Sequence, residues 1–133
     1  MTGLYQDIVL NRTRHPLHAG KPVRFEAQAT ASSPICGDRV RVYLSPAGMD
    51  VHHEAEGCAI MAASADLMAS AVLGKNPEMV REISKNFTRV VTTGEADPSL
   101  GELNALAGVA EFPSRIGCAT LPWRALEEAL ANV

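Results

Sequence analysis

The apolar residues change their spacing once along this chain, and the change fixes the class of fold. Up to about residue 56 they alternate. Val23, Phe25, Ala27 and Ala29 are apolar, while Arg24, Glu26, Gln28 and Thr30 are polar. Period two over eight residues predicts a half-buried strand across 23–30. Val40, Val42 and Leu44 alternate with Arg39, Arg41 and Tyr43 in a second strand, and residues 50–55 form a third. Pro46-Ala47-Gly48 turns the chain between them, so the strands read as an antiparallel meander. After residue 58 the period becomes helical. Ile60, Ala63, Leu67 and Ala71 mark a helix over 59–73, with Gly74 as its stop. Pro77 opens a helix with core positions Val80, Ile83, Phe87 and Val90 or Val91, ended by Gly94. Asp97-Pro98-Ser99 starts a short helix carrying Leu100, Leu103 and Leu106. Residues 108–113 read as a connector, and 121–133 as a last helix with Trp123, Leu126 and Leu130 on one stripe. A short helix over 4–11 precedes everything, followed by a loop over 13–22. Strands first and helices afterwards predict an α+β domain. A small three-stranded antiparallel sheet would carry helices mainly on one face, in a single domain over 1–133.

The charge pattern excludes more than it assigns. Net charge is −3, which offers no case for nucleic acid. Residues 1–53 hold six Lys/Arg against four Asp/Glu, and residues 54–133 hold six against eleven. That asymmetry suits either a solvated surface or the docking of a partner protein. No apolar run approaches the roughly 20 residues of a membrane span, and Asp7 interrupts any leader-like stretch. The expectation is a cytoplasmic chain, monomeric by default, with no membrane contact.

Three cysteines cannot all pair within one chain, and they are too few for a disulfide scaffold. In a reducing setting they must be explained by burial, metal or reactivity. Cys36 lies in the loop before the second strand. Cys58 sits where the third strand gives way to a helix. Cys118 lies shortly before the last helix. Gly37, Gly57 and Gly117 adjoin them, and such glycines let a backbone turn tightly beside a ligand. A cysteine at a helix N-terminus also gains thiolate character. Cys36-Gly37-Asp38 can aim two side chains at one point. Three thiolates and one carboxylate make the four ligands of a tetrahedral zinc site. Such a site carries a formal −2, for which Arg39, Arg41 and Arg115 are the candidate counter-charges. By spacing alone inert buried cysteines are favoured, because gaps of 22 and 60 residues fit no local zinc motif; the junction placement and the adjacent glycines bring the metal site about level.

The remaining candidates read as structure. His52 and His53 point to opposite faces of a strand. His15 and His18 lie in a loop without ligand-type neighbours. Met61, Met68 and Met79 read as core filler, and Trp123 as core packing. Tyr5 and the basic N-terminal third are where a partner would touch.

The cysteine-bearing segments Ser33-Pro34-Ile35-Cys36-Gly37-Asp38, Glu56-Gly57-Cys58-Ala59-Ile60 and Phe112-Pro113-Ser114-Arg115-Ile116-Gly117-Cys118-Ala119-Thr120-Leu121, with Trp123, resemble the three motifs of the SufU/IscU (NifU N-terminal) iron–sulfur assembly proteins. Leu4-Tyr5-Gln6-Asp7-Ile8 through His15-Pro16 and Gly20 is similar to their N-terminal segment. Residues 86–112 look like the insertion of the SufU branch. Gly117 stands where IscU-type proteins have histidine and SufU-type proteins usually lysine, and Leu17-His18 where the family usually has Arg-Asn. Arg115 matches the branch's arginine.

The resemblance implies one zinc per chain held by Cys36, Asp38, Cys58 and Cys118. It implies that Cys36 accepts sulfur from the persulfide of a pyridoxal-phosphate cysteine desulfurase of the SufS type, while the other three hold the metal. The chain would then be a sulfurtransferase-like carrier rather than a conventional enzyme. The alternative is a scaffold on which a transient iron–sulfur cluster is built and passed to acceptor proteins.

Overall fold

The computed structural model describes residues 6–33 and 37–133. Cys36 and the expected start of the first helix at Leu4 lie outside the described residues. Helix α1 (Asp7–Arg14) leads into a loop and then into strands β1 (Ala27–Ser32), β2 (Arg39–Ser45) and β3 (Asp50–Glu56). The three strands form one antiparallel sheet in the order β1-β2-β3, with Ala27 opposite Leu44 and Leu44 opposite Val51. Helices α2 (Ala59–Val72) and α3 (Pro77–Thr93) follow. A 3₁₀ stretch (Pro98–Glu111), bent at Gly101, leads to helix α4 (Pro113–Ala131). This is the α+β arrangement expected from the switch in period.

One face of the sheet is buried, and the alternation says which. Ala27, Ala29 and Ala31 of β1, Val40, Val42 and Leu44 of β2, and Val51 of β3 are all buried. α4 packs on β1 and β2, and α2 packs on β3. The three alanines of β1 leave room for a close approach by α4. Each buried Val or Leu contributes about 1.5–3 kcal/mol relative to exposure. The other face carries exposed Arg39, Arg41, Glu54 and Glu56. α3 starts and stops as its signals require. The Asn76 side chain accepts the Met79 N–H at 2.8 Å, Pro77 opens the first turn, and Gly94 closes the helix at φ +81.

Helix α1 runs on to Arg14, so Thr13 and Arg14 are helical and not part of the expected loop. Three further boundaries differ from expectation, each for a physical reason. The first strand begins at Ala27 rather than Val23. Val23 is 99% exposed, and Phe25 instead turns to the outer face, where its ring packs 4.9 Å from that of Tyr43. The last helix begins eight residues earlier than expected, at Pro113. Proline is favoured at a first helical position, and α4 then accommodates Pro122 internally instead of starting beside it. The expected connector over 108–113 is taken up by the 3₁₀ stretch and the start of α4. Met61 and Met68 are fully buried, but Met79 is 46% exposed and is not core. Trp123 is core, stacked on Phe87 at 5.1 Å.

Asp66 of α2 ties the N-terminal third to this frame. It is fully buried and accepts four hydrogen bonds. Arg12 Nη1 donates at 2.7 Å, the Leu17 N–H at 2.9 Å, the His18 N–H at 2.8 Å and His53 Nε2 at 2.9 Å. Burial opposes its charge, but the bonds from His53, Leu17, Arg12 and His18 outweigh burial. They hold the carboxyl well below the usual carboxylate range. The stability this supplies is complete above the unfolded-state pKa of about 4 and is lost as pH falls through the lower folded value. Acid titration of the melting temperature should therefore show a descent below about pH 4 that is shallower in an Asp66→Ala chain.

Candidate metal centre

Asp38 stands immediately before β2 and is 3% exposed. Its loop is closed by backbone bonds from Ser33 N–H to the Asp38 carbonyl and from Gly37 N–H to the Ser33 carbonyl, at 2.8 and 2.9 Å. Gly37 takes φ +73 there. Cys58 caps the N-terminus of α2 in an extended conformation. Its N–H donates to Asp38 Oδ1 at 2.9 Å, which fixes the carboxylate. Gly57, between β3 and Cys58, has φ +125, and a Cβ there would overlap the Asp38 carboxylate. The glycine is thus required by the ligand beside it. Gly117 is different: it is helical, with nothing within 4 Å of where its Cβ would stand.

Cys118 lies inside α4, in its second turn, rather than before the last helix. It is 2% exposed. Burial, together with Asp38 and Cys58 beside it, pushes its thiol up to about 12. The protein on its own therefore keeps this sulfur protonated, and a cation would reverse that preference. Cys58 and Cys118 are free thiols, and Arg115 Nη1 donates to Cys58 Sγ at 3.2 Å.

One ligand atom from each of Asp38, Cys58 and Cys118 lies within 4.8 Å of the others. Donors around a tetrahedral zinc stand about 3.7 Å apart, so a modest inward movement suffices. Asp38 Oδ2 is buried and has no hydrogen-bond partner among the described residues. A buried carboxylate oxygen left without a partner, in a group with two thiols, is costly unless a cation shares it. The donor set therefore fits a metal, and the group could bind one. Two soft sulfurs and one hard oxygen suit zinc or iron better than magnesium or calcium.

Of the expected counter-charges, only Arg115 reaches these ligands. Arg39 pairs with Glu56 at 3.1 Å on the outer face, and Arg41 donates to Thr30 at 3.1 Å. Both sit at outward positions of β2. His53 is buried against Asp66 and His52 approaches Asp50, so the histidine pair is structural. His18 joins the same buried group through Ser70 at 2.9 Å. Sequence reasoning missed Gly57 as the seat of Asp38; the adjacency Gly57-Cys58 was visible, but not the crossing of Asp38 behind it.

The NifU-like N terminal domain matches residues 4–119. The zinc-dependent sulfurtransferase SufU of Bacillus subtilis (strain 168) is 38% identical, over 97% of this chain and 90% of the relative. The iron-sulfur cluster assembly scaffold protein IscU of Streptococcus pyogenes serotype M1 is 36% identical, over 96% of this chain and 82% of its own. A solved structure from Fervidobacterium islandicum AW-1, described as an iron-sulfur cluster assembly scaffold for the SUF system, superposes with a TM-score of 0.85. It is 30% identical and covers 96% of each chain. The fold, the ordered cysteine segments and these likenesses lead to one conclusion: the chain belongs to the NifU-like N-terminal domain family.

Proposed function

We propose that this chain is a zinc-dependent sulfur acceptor and carrier in iron–sulfur cluster assembly. One observation carries the reading: the buried Asp38 carboxylate, whose Oδ2 has no hydrogen-bond partner among the described residues, lies together with the thiols of Cys58 and Cys118. These three side chains stand just before β2, at the N-cap of α2 and within α4, and form the fixed part of a ligand set that Cys36 would complete. Zinc, when bound, would keep the sulfurs deprotonated and shield them from oxidation. Arg115 offsets part of the negative charge through Cys58.

Cys36 is the accepting nucleophile in this reading. Its thiolate attacks the outer, sulfane sulfur of a persulfide carried by a pyridoxal-phosphate cysteine desulfurase of the SufS type. One S–S bond forms on Cys36 as the donor's S–S bond breaks, and the donor cysteine leaves as a thiolate. No net oxidation occurs. The chain works as a single domain, as a monomer and in the cytoplasm.

The test is the stimulation of desulfurase turnover by the zinc-loaded chain. Cys36→Ala is expected to abolish that stimulation while leaving a folded protein with three metal ligands. Stimulation that survives Cys36→Ala would defeat the reading. The scaffold alternative draws on the likeness to the Streptococcus pyogenes protein. Under it, anaerobic supply of iron and sulfide yields a cluster that passes to an apo-acceptor, and a chain that holds only zinc counts against it.

A further inference from the structure

Cys58 caps α2 and Cys118 lies within α4, and these two helices pack against each other. A buried hydrogen bond runs between them: the Ser64 hydroxyl donates to the Ala119 carbonyl at 2.5 Å. Ser64 is fully buried, and it stands six residues along the chain from Cys58, about 9 Å of helix rise. Ala119 directly follows Cys118. A hydroxyl on a helix has a closer acceptor at hand, the carbonyl four residues back in its own helix. Thr88, Thr92, Thr93 and Thr120 all donate there. Ser64 reaches across to the other ligand-bearing helix instead.

The turn it reaches is the weak one in α4. Pro122 lies inside the helix and has no N–H, so the carbonyl of Cys118, four residues back, loses its ladder bond. A proline ring also crowds that carbonyl, and helices bend where this happens. The interrupted turn therefore begins at the metal ligand itself. Cys118 must nonetheless keep its sulfur beside Cys58 and Asp38, where one ligand atom of each lies within 4.8 Å of the others. Ligand sets tolerate displacements of only about 0.5 Å.

We propose that Ser64 is a positioning residue for the metal centre: its hydroxyl fastens α4 to α2 across the turn that Pro122 interrupts, and so holds the Cys118 sulfur in place for zinc. The proposal rests on the zinc reading above. Ser64 supplies no ligand atom and acts through the backbone of Ala119. Removing the hydroxyl strands no buried acceptor, because Trp123, unlike Pro122, still offers an N–H to the Ala119 carbonyl within the helix. The fold of a Ser64→Ala chain should therefore stand while the aim of Cys118 loosens.

The experiment compares the wild type, Ser64→Ala, Pro122→Ala and the double variant. It reads zinc affinity by chelator competition, the absorption bands of the cobalt(II)-substituted chain, and the melting temperature of the metal-free chain. Ser64→Ala should bind zinc about tenfold more weakly and shift the cobalt–thiolate bands. Its metal-free melting temperature should fall by less than about 5 °C. Pro122→Ala returns an N–H to the Cys118 carbonyl, so in that background the same Ser64→Ala change should weaken zinc by less than about threefold. Wild-type zinc affinity and cobalt bands in Ser64→Ala overturn the positioning role and leave the zinc reading standing. So does a loss of equal size in both backgrounds, or a Ser64→Ala chain that no longer folds without metal. A wild-type chain that binds no zinc overturns both.

Discussion

An Asp66→Ala chain should melt about 10–20 °C below the wild type, a loss of about 3–5 kcal/mol. The size follows from what is stranded. Arg12 is 8% exposed and would keep its charge with only the partly solvated Glu102 at 3.1 Å to offset it. The N–H groups of Leu17 and His18 and the Nε2 of His53 would lose their acceptor together. Removing one partner of a buried ion pair costs far more than the pair is worth against an apolar replacement, because a desolvated charge remains. Asp66→Asn keeps the shape but brings an amide N–H₂ toward donors, so it should recover only a minor part of the loss. Thermal denaturation by circular dichroism decides it. A drop under about 3 °C would mean that the network is not what fastens the N-terminal third.

Gly57→Ala should weaken zinc binding by about ten- to a hundredfold, although residue 57 donates no ligand atom. Two penalties coincide at this position. The backbone has φ +125, which a residue with a Cβ adopts only with strain of about 1–3 kcal/mol. The added carbon would also overlap Oδ1 of the Asp38 carboxylate and displace that ligand from the thiols. Gly117→Ala is the matched comparison. Its position is helical and open, so alanine there should leave zinc affinity unchanged and stabilise the helix by about 0.5–1 kcal/mol. Competition against a chromophoric chelator measures both. Equal affinities for the two variants would show that Asp38 is not held by the space Gly57 leaves.

The contrast between those glycines marks how far the sequence could be read. Side by side in the chain, Gly37, Gly57 and Gly117 look alike next to their cysteines. Only the pairing of β2 with β3, which sets Arg39 opposite Glu56, reveals that one of them makes room for a carboxylate. Periodic features were legible because they are local: β2, β3, α2 and α3 fall within a residue or two of their expected bounds. Phe25 misled because it keeps the alternation while turning to the other face. The reading of a last helix over 121–133 stops short because its apolar stripe begins only there, whereas α4 starts at Pro113 and carries Pro122 inside it. The Asp66 network left no trace, since Arg12, Leu17 and His18 lie about fifty residues away and ion pairing has no period. The ligand residues themselves were legible from chemistry and motif. Which arginine answers them was not: Arg39 and Arg41 take outward positions of β2, whereas Arg115 in α4 reaches Cys58.

Cys58 and Cys118 are sixty residues apart in the chain. The intervening chain runs through α2, α3 and the 3₁₀ stretch before it returns. A metal bound to both sulfurs is therefore a reversible cross-link that closes a long loop. Closing a loop of that length removes about 4 kcal/mol of unfolded-state entropy by the chain model used for disulfides. It does so without an oxidant, and it is undone by chelation rather than by reduction. Everything between the two cysteines is then held as one stapled body, and α3 and the 3₁₀ stretch can change in sequence or length at small cost to the closure, because that entropy grows only with the logarithm of loop size.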